Sequence, residues 1–171
     1  MKYCRTFDAF SGDGRVRSMR IALGSDHAGY DLKVSLASAL RDWGHETVDL
    51  GTDGAERSVD YPDFGAAVGR SVASGDTDLG VCICGSGIGI AIAANKVPGV
   101  RAATVHDVTS AHLAREHNHA NVLCLGARLM GTVVAEEALR AWLDATPGSG
   151  RHLERIEKIN ELDQLLVEHE R

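Results

Sequence analysis

Apolar and polar positions alternate between two rhythms from residue 20 onward. Short apolar runs at residues 20–24, 46–50, 79–84, 100–105 and 122–125 read as strands. Between them the apolar spacing lengthens to that of helices. Leu32, Leu36, Leu40 and Trp43 share one helical face, and Gly44 ends that helix. Residues 51–60 read as a polar loop, after which Pro62 suits the first turn of a helix reaching about Ala73. Residues 88–95 predict a helix of small residues. Asp107 can cap a helix running to His117, and residues 133–143 make another. Pro147-Gly148-Ser149-Gly150 breaks the chain before a last helix over residues 151–168.

Five strands separated by helices of this length predict an α/β fold, a parallel sheet with helices on both faces and right-handed crossovers. Ligands of such sheets bind beyond the carboxyl ends of the strands. Those ends are Ser25-Asp26-His27, Tyr61, residues 84–89 and His106-Asp107.

The chain has 171 residues, enough for one domain with a real core, expected over residues 19–171. Residues 1–18 lack the apolar core of a signal peptide. They read as a disordered or loosely attached extension, either an appended remnant or the product of an upstream start codon. The formal net charge of −6 argues against a general nucleic-acid binder. No apolar run has the length of a transmembrane helix. Four cysteines occur without a C-x-x-C pair, which disfavours a zinc knuckle and leaves no metal in the expected site. Cys82 and Cys84, two apart on a predicted strand, are expected to point to opposite faces and so to share neither a metal nor a disulfide. Without an export signal, the thiols are expected to be reduced and the protein cytoplasmic.

The chemistry concentrates at Cys84-Gly85-Ser86-Gly87-Ile88-Gly89, where a buried strand turns into a helix. That turn sets a thiol and a hydroxyl beside backbone N–H groups, a setting that favours negative charge and with it a thiolate. The glycine spacing is not that of a dinucleotide fingerprint, and Cys84 stands where a hydrolase elbow would need its first glycine. Asp26 and His27 can orient and protonate a polar substrate, although Asp26 can equally cap the following helix. His112, His117 and His119 do not share a helical face as zinc ligands would; they are either a solvated helix end or the source of one acid–base group, His117. Arg151 and Arg155, four apart, form either a phosphate clamp or a solvated face paired with Glu154 or Glu157.

Taken in order, several segments resemble the ribose-5-phosphate isomerase B family, which also holds allose- and galactose-6-phosphate isomerases. They are Gly24-Ser25-Asp26-His27-Ala28-Gly29, Asp60-Tyr61-Pro62, residues 84–89, Ala93-Ala94-Asn95-Lys96, Arg115-Glu116-His117-Asn118, Asn121-Val122, Gly126-Ala127-Arg128 and Gly150-Arg151-His152. The resemblance implies a Rossmann-like three-layer α/β/α sandwich that works without a cofactor on a sugar phosphate. It also implies a homodimer or homotetramer with sites shared between subunits.

By the same resemblance Cys84 is the base that moves a proton between C1 and C2, and Ser86 helps a proton move between the oxygens. His117 opens the sugar ring, and Asp26 assists by hydrogen bonding. The backbone of Gly85, Gly87, Ile88 and Gly89 holds the enediolate, Asn118 binds substrate oxygens, and Tyr61 lines the pocket. His27, Arg128, Arg151 and Arg155 take the phosphate, with His117, Asn118 and Arg128 supplied by the neighbouring subunit. A branch of the family uses a glutamate just after the last loop glycine; Ile90 stands there, so the work falls on Cys84. D-Ribose 5-phosphate is the expected substrate, with allose 6-phosphate, galactose 6-phosphate and erythrulose 4-phosphate as alternatives. A sugar-phosphate sensor on the same fold would keep the arginines and glycines but need no base.

Overall fold

The structure is a computed structural model that describes residues 18–168. Apart from Ser18, the extension expected over residues 1–18 lies outside the described residues, as does Cys4. The five strands are β1 (Arg20–Ser25), β2 (Glu46–Asp49), β3 (Leu79–Cys84), β4 (Ala102–Thr104) and β5 (Val122–Gly126). They form one all-parallel sheet in the order β2-β1-β3-β5-β4, the predicted architecture. The helices are α1 (Tyr30–Asp42), α2 (Tyr61–Ser74), α3 (Ile88–Ala94), α4 (Val108–Asn118), α5 (Thr132–Asp144) and α6 (Arg151–Glu168).

Direction of travel decides which face each helix covers. The chain moves outward from β1 to β2, then back past β1 to β3, so right-handed crossovers send α1 and α2 to opposite faces. Leu32, Leu36 and Leu40 of α1 join Ala111 and Ala114 of α4 and Leu139 and Trp142 of α5 in one core. Val68 of α2 and Ile90, Ala91 and Ala94 of α3 pack with Ala22, Cys82 and Cys124 in the other. The reversal occurs between β1 and β3, and in such sheets the crevice at that point is where ligands enter.

Side chains adjust the predicted boundaries. Asp26 caps a short 3-10 turn, His27–Gly29, and this delays the start of α1 to Tyr30. On the outer side of β4, Asn95 donates from Nδ2 to the Ala102 carbonyl and accepts the Ala102 N–H on Oδ1, both at 2.8 Å. A side-chain amide thus stands in for a missing strand partner, and β4 is three residues long rather than the six predicted.

One expectation is overturned. Cys82 and Cys84 lie on the same face of the sheet, in the core beside α2 and α3. The pleat returns a side chain to the same face every second residue, so two-residue spacing aligns them. Cys124 is the register partner of Cys82 on β5 and joins them. All three are free thiols, and burial, then hydrogen bonding with Cys82, pushes the Cys124 thiol up.

Candidate active site

Cys84 is the last residue of β3 and is only 4% exposed. Its Sγ accepts the Gly87 N–H at 3.1 Å, across the turn that links β3 to α3. Gly87 adopts φ 78°, and a Cβ there would lie 2.9 Å from the Leu125 carbonyl carbon. A side chain is therefore excluded twice, by conformation and by the end of β5. Ser86 faces the opening, its Oγ accepting the Ile88 N–H at 3.3 Å.

The flanking strands seat the remaining groups. The Asp26 N–H donates to the Ile83 carbonyl at 3.2 Å, so Asp26 sits beside the end of β3. Its Oδ1 accepts the Gly29 N–H at 3.0 Å, the capping role that the sequence left open, and the residue is buried. His27 is half-buried, and its Nδ1 accepts the Val59 N–H at 3.3 Å. With Nδ1 accepting, the proton of the neutral ring is on Nε2. Tyr61, at the start of α2, lays its ring against α3: a Cβ on Gly89 would be 2.6 Å from Tyr61 Cζ.

From the other side, the Arg128 N–H donates to the Gly85 carbonyl at 3.0 Å, and its guanidinium lies 3.4 Å from where a Gly85 Cβ would be. Asp26, Tyr61, Cys84, Ser86 and Arg128 thus gather around the β3–α3 turn within a single chain. Arg128, expected from the neighbouring subunit, makes these contacts with Gly85 of its own chain.

His117, Asn118, Arg151 and Arg155 form a second group, at the end of α4 and the start of α6. The His117 ring stacks on His152, with centroids 4.5 Å apart and planes 14° from parallel. Its Nε2 is 3.8 Å from Glu116 Oε2, which also stands 3.3 Å from His112 Nε2. Asn118, Arg151 and Arg155 are exposed. His119 turns inward instead, where Nε2–H donates to the Gly148 carbonyl at 2.7 Å. His112 and His117 of α4 and His119 at its cap therefore diverge, and among the described residues no group of three His, Cys, Asp or Glu side chains could hold a metal ion. No helix among the described residues is long and apolar enough to cross a membrane.

A third group lies away from the motifs that the sequence singles out. Lys33 of α1 is 1% exposed, and its Nζ donates to both carboxylate oxygens of Asp49 and to the Thr52 carbonyl. A signal was present: Lys33 precedes Leu36 and Leu40 by three and seven residues, placing a charge on the apolar stripe of α1.

A five-stranded, doubly wound parallel sheet of this kind is a fold shared with a class of isomerases. The family model described as Ribose/Galactose Isomerase matches residues 21–159. Ribose-5-phosphate isomerase B of Escherichia coli is 43% identical over 85% of this chain and 97% of its own length. The D-erythrulose-4-phosphate isomerase of Pectobacterium atrosepticum is 40% identical over 82% of this chain and 93% of its own. Among solved structures, the ribose-5-phosphate isomerase B of Clostridium thermocellum superposes with a TM-score of 0.85 at 49% identity, covering 86% of this chain and 99% of that one. The chain belongs to the ribose/galactose isomerase family.

Proposed function

We propose that this protein interconverts D-ribose 5-phosphate and D-ribulose 5-phosphate through a cis-enediolate, with Cys84 as the base. The observation that carries the reading is the buried Cys84 Sγ accepting the Gly87 N–H at 3.1 Å in the switch-point crevice. That hydrogen bond fixes the sulfur at the turn where β3 passes into α3. The thiolate takes the proton from C2 of the open-chain aldose, and the electron pair becomes the C1–C2 double bond of the enediolate. A proton moves between O1 and O2 with the help of the Ser86 hydroxyl, and Cys84 returns its proton to C1 to give the ketose. The Gly87 N–H is committed to sulfur, so the N–H groups of Ser86 and Gly89 on either side are assigned to the enediolate oxygens. Asp26 assists through its carboxylate, Tyr61 lines the pocket, and His27 Nε2–H and the Arg128 guanidinium receive the phosphate.

Ring opening is assigned to His117, with Asn118 binding substrate oxygens and Arg151 and Arg155 binding phosphate. The contacts of His117 with His152 and Glu116 keep it on α4 and α6. We therefore assign these groups to the crevice of a second copy in a homodimer or homotetramer. Exposed apolar side chains favour such a partner: Ile88 and Ile92 share one face of α3, Leu129 lies between β5 and α5, and Val133 is in the first turn of α5. The reaction as written needs no cofactor, and the cytoplasm is the setting that three free thiols suit.

The likeness to a D-erythrulose-4-phosphate isomerase supports a second reading, a four-carbon substrate for the same chemistry. Steady-state assays on D-ribose 5-phosphate, erythrulose 4-phosphate, allose 6-phosphate and galactose 6-phosphate decide between them. The highest kcat/KM is expected on D-ribose 5-phosphate; a higher value on another sugar transfers the proposal to it. Saturable binding without turnover on any of them would instead make the protein a sensor.

A further inference from the structure

We propose that Lys33 is a positioning residue for the phosphate end of the site: it locks the β2–α2 loop into the arch that orients His27. The inference rests on the assignment of His27 to the phosphate made above. Lys33 reaches the loop from α1, and all three ammonium protons are used. They go to Asp49 Oδ1 at 2.6 Å, Asp49 Oδ2 at 2.8 Å and the Thr52 carbonyl at 2.6 Å. An ammonium group is costly to bury, and one with every proton matched is held in a single geometry. Tyr30, whose ring centroid lies 5.4 Å from Nζ, covers it further.

The clamp extends from Lys33 to the strand that carries the site. Asp49 Oδ1 also accepts the Gly51 N–H at 3.0 Å. The Gly51 carbonyl accepts the Ser25 N–H at 2.7 Å, and the Thr52 N–H donates to the Ser25 carbonyl at 2.9 Å. The first half of the loop is thereby pinned to Ser25, two residues before His27. The second half returns over the site, where the Val59 N–H meets His27 Nδ1 at 3.3 Å. That contact fixes the tautomer and leaves Nε2–H as the donor for an anion. Among the described residues, Lys33–Asp49 is the ion pair that ties this loop to α1; without it, the Val59 N–H loses its fixed position over the imidazole.

The test uses the full chain with Lys33→Met, which keeps length and apolar bulk but removes the charge. Inorganic phosphate is the probe, measured as its dissociation constant and as an inhibition constant. Nitrogen-15 NMR reads the His27 tautomer, and thermal unfolding is followed in parallel. The variant is expected to bind phosphate roughly tenfold more weakly and to show a KM raised by a similar factor, with kcat changed less than about twofold. The Nε2–H signature of His27 in the parent should give way to mixed tautomers. A variant with lowered thermal stability but unchanged phosphate affinity and tautomer would overturn the proposal, leaving Lys33 a fold residue only. Asp49→Asn keeps the lysine and one side-chain acceptor, replaces the other with an amide NH2, and removes the countercharge. It should move both readouts the same way by about threefold, and no movement there would also overturn the proposal. Phosphate affinity and tautomer require no turnover, so a parent inactive on D-ribose 5-phosphate would contradict the functional reading without touching these two results.

Discussion

Gly89 shows how one missing Cβ shapes the crevice. An added methyl would meet the Tyr61 ring 2.6 Å away, and Tyr61 is 41% exposed, so the ring can swing outward. Gly89→Ala is therefore expected to cost little stability, since alanine favours the helix by about 1 kcal/mol. It should lower kcat/KM on the sugar phosphate while the melting temperature stays level or rises; a fall in both would mean that the turn itself had been disturbed. At this scale the sequence displayed the position of the loop residues better than their contacts. Cys84, Ser86 and the glycines were legible because a thiol between an apolar run and a glycine turn falls at the junction of a strand with a helix, whatever the rest of the chain does. Lys33 was not, because its partners Asp49 and Thr52 lie on the far side of a strand and a loop. The facing of Cys82 and Cys84 was misread, although their spacing alone determines it.

Helices and strands were legible wherever apolar periodicity and punctuation agreed. β3 and α6 match their predicted spans, whereas β4 is shorter than predicted and its outer edge is closed by Asn95, a tertiary contact that no periodicity encodes. The end of α4 carries a pH dependence. His119 caps it in the left-handed region at φ 47° and is buried, and burial holds its imidazole below the ordinary value of 6.5. His45, also buried, is lowered for the same reason. A group with a depressed folded-state pKa takes up protons more readily in the unfolded chain. The stability tied to its neutral form is thus complete above about pH 6.5 and is lost as pH falls through the folded-state value. Thermal unfolding followed across this range should show a plateau above neutrality and a decline in acid. His119→Asn suits the same backbone conformation and should shrink that decline, and a profile identical to the parent's would remove His119 from the explanation.

In the proposed assembly, the two groups of site residues become one. The crevice around Cys84 is built within one chain, while His117 is held on α4 by its stack with His152. No sequence pattern indicated which residues a second copy would bring; that expectation came from the family resemblance, and the exposed Ile92 (58%) and Val133 (67%) give it a physical basis. Ile92→Glu places a charge in the proposed contact. It should shift the sedimentation coefficient from dimer or tetramer to monomer and lower kcat/KM at least tenfold by separating His117 from Cys84. A parent that is monomeric and fully active would refute the shared site. The central claim is that Cys84 moves the proton, and the most direct measurement is isomerisation of D-ribose 5-phosphate by the parent and by Cys84→Ala in one assay. The account predicts turnover in the parent and a loss of roughly 100- to 10,000-fold in a variant that still folds. A Cys84→Ala protein that keeps the parent's rate would show that another group is the base.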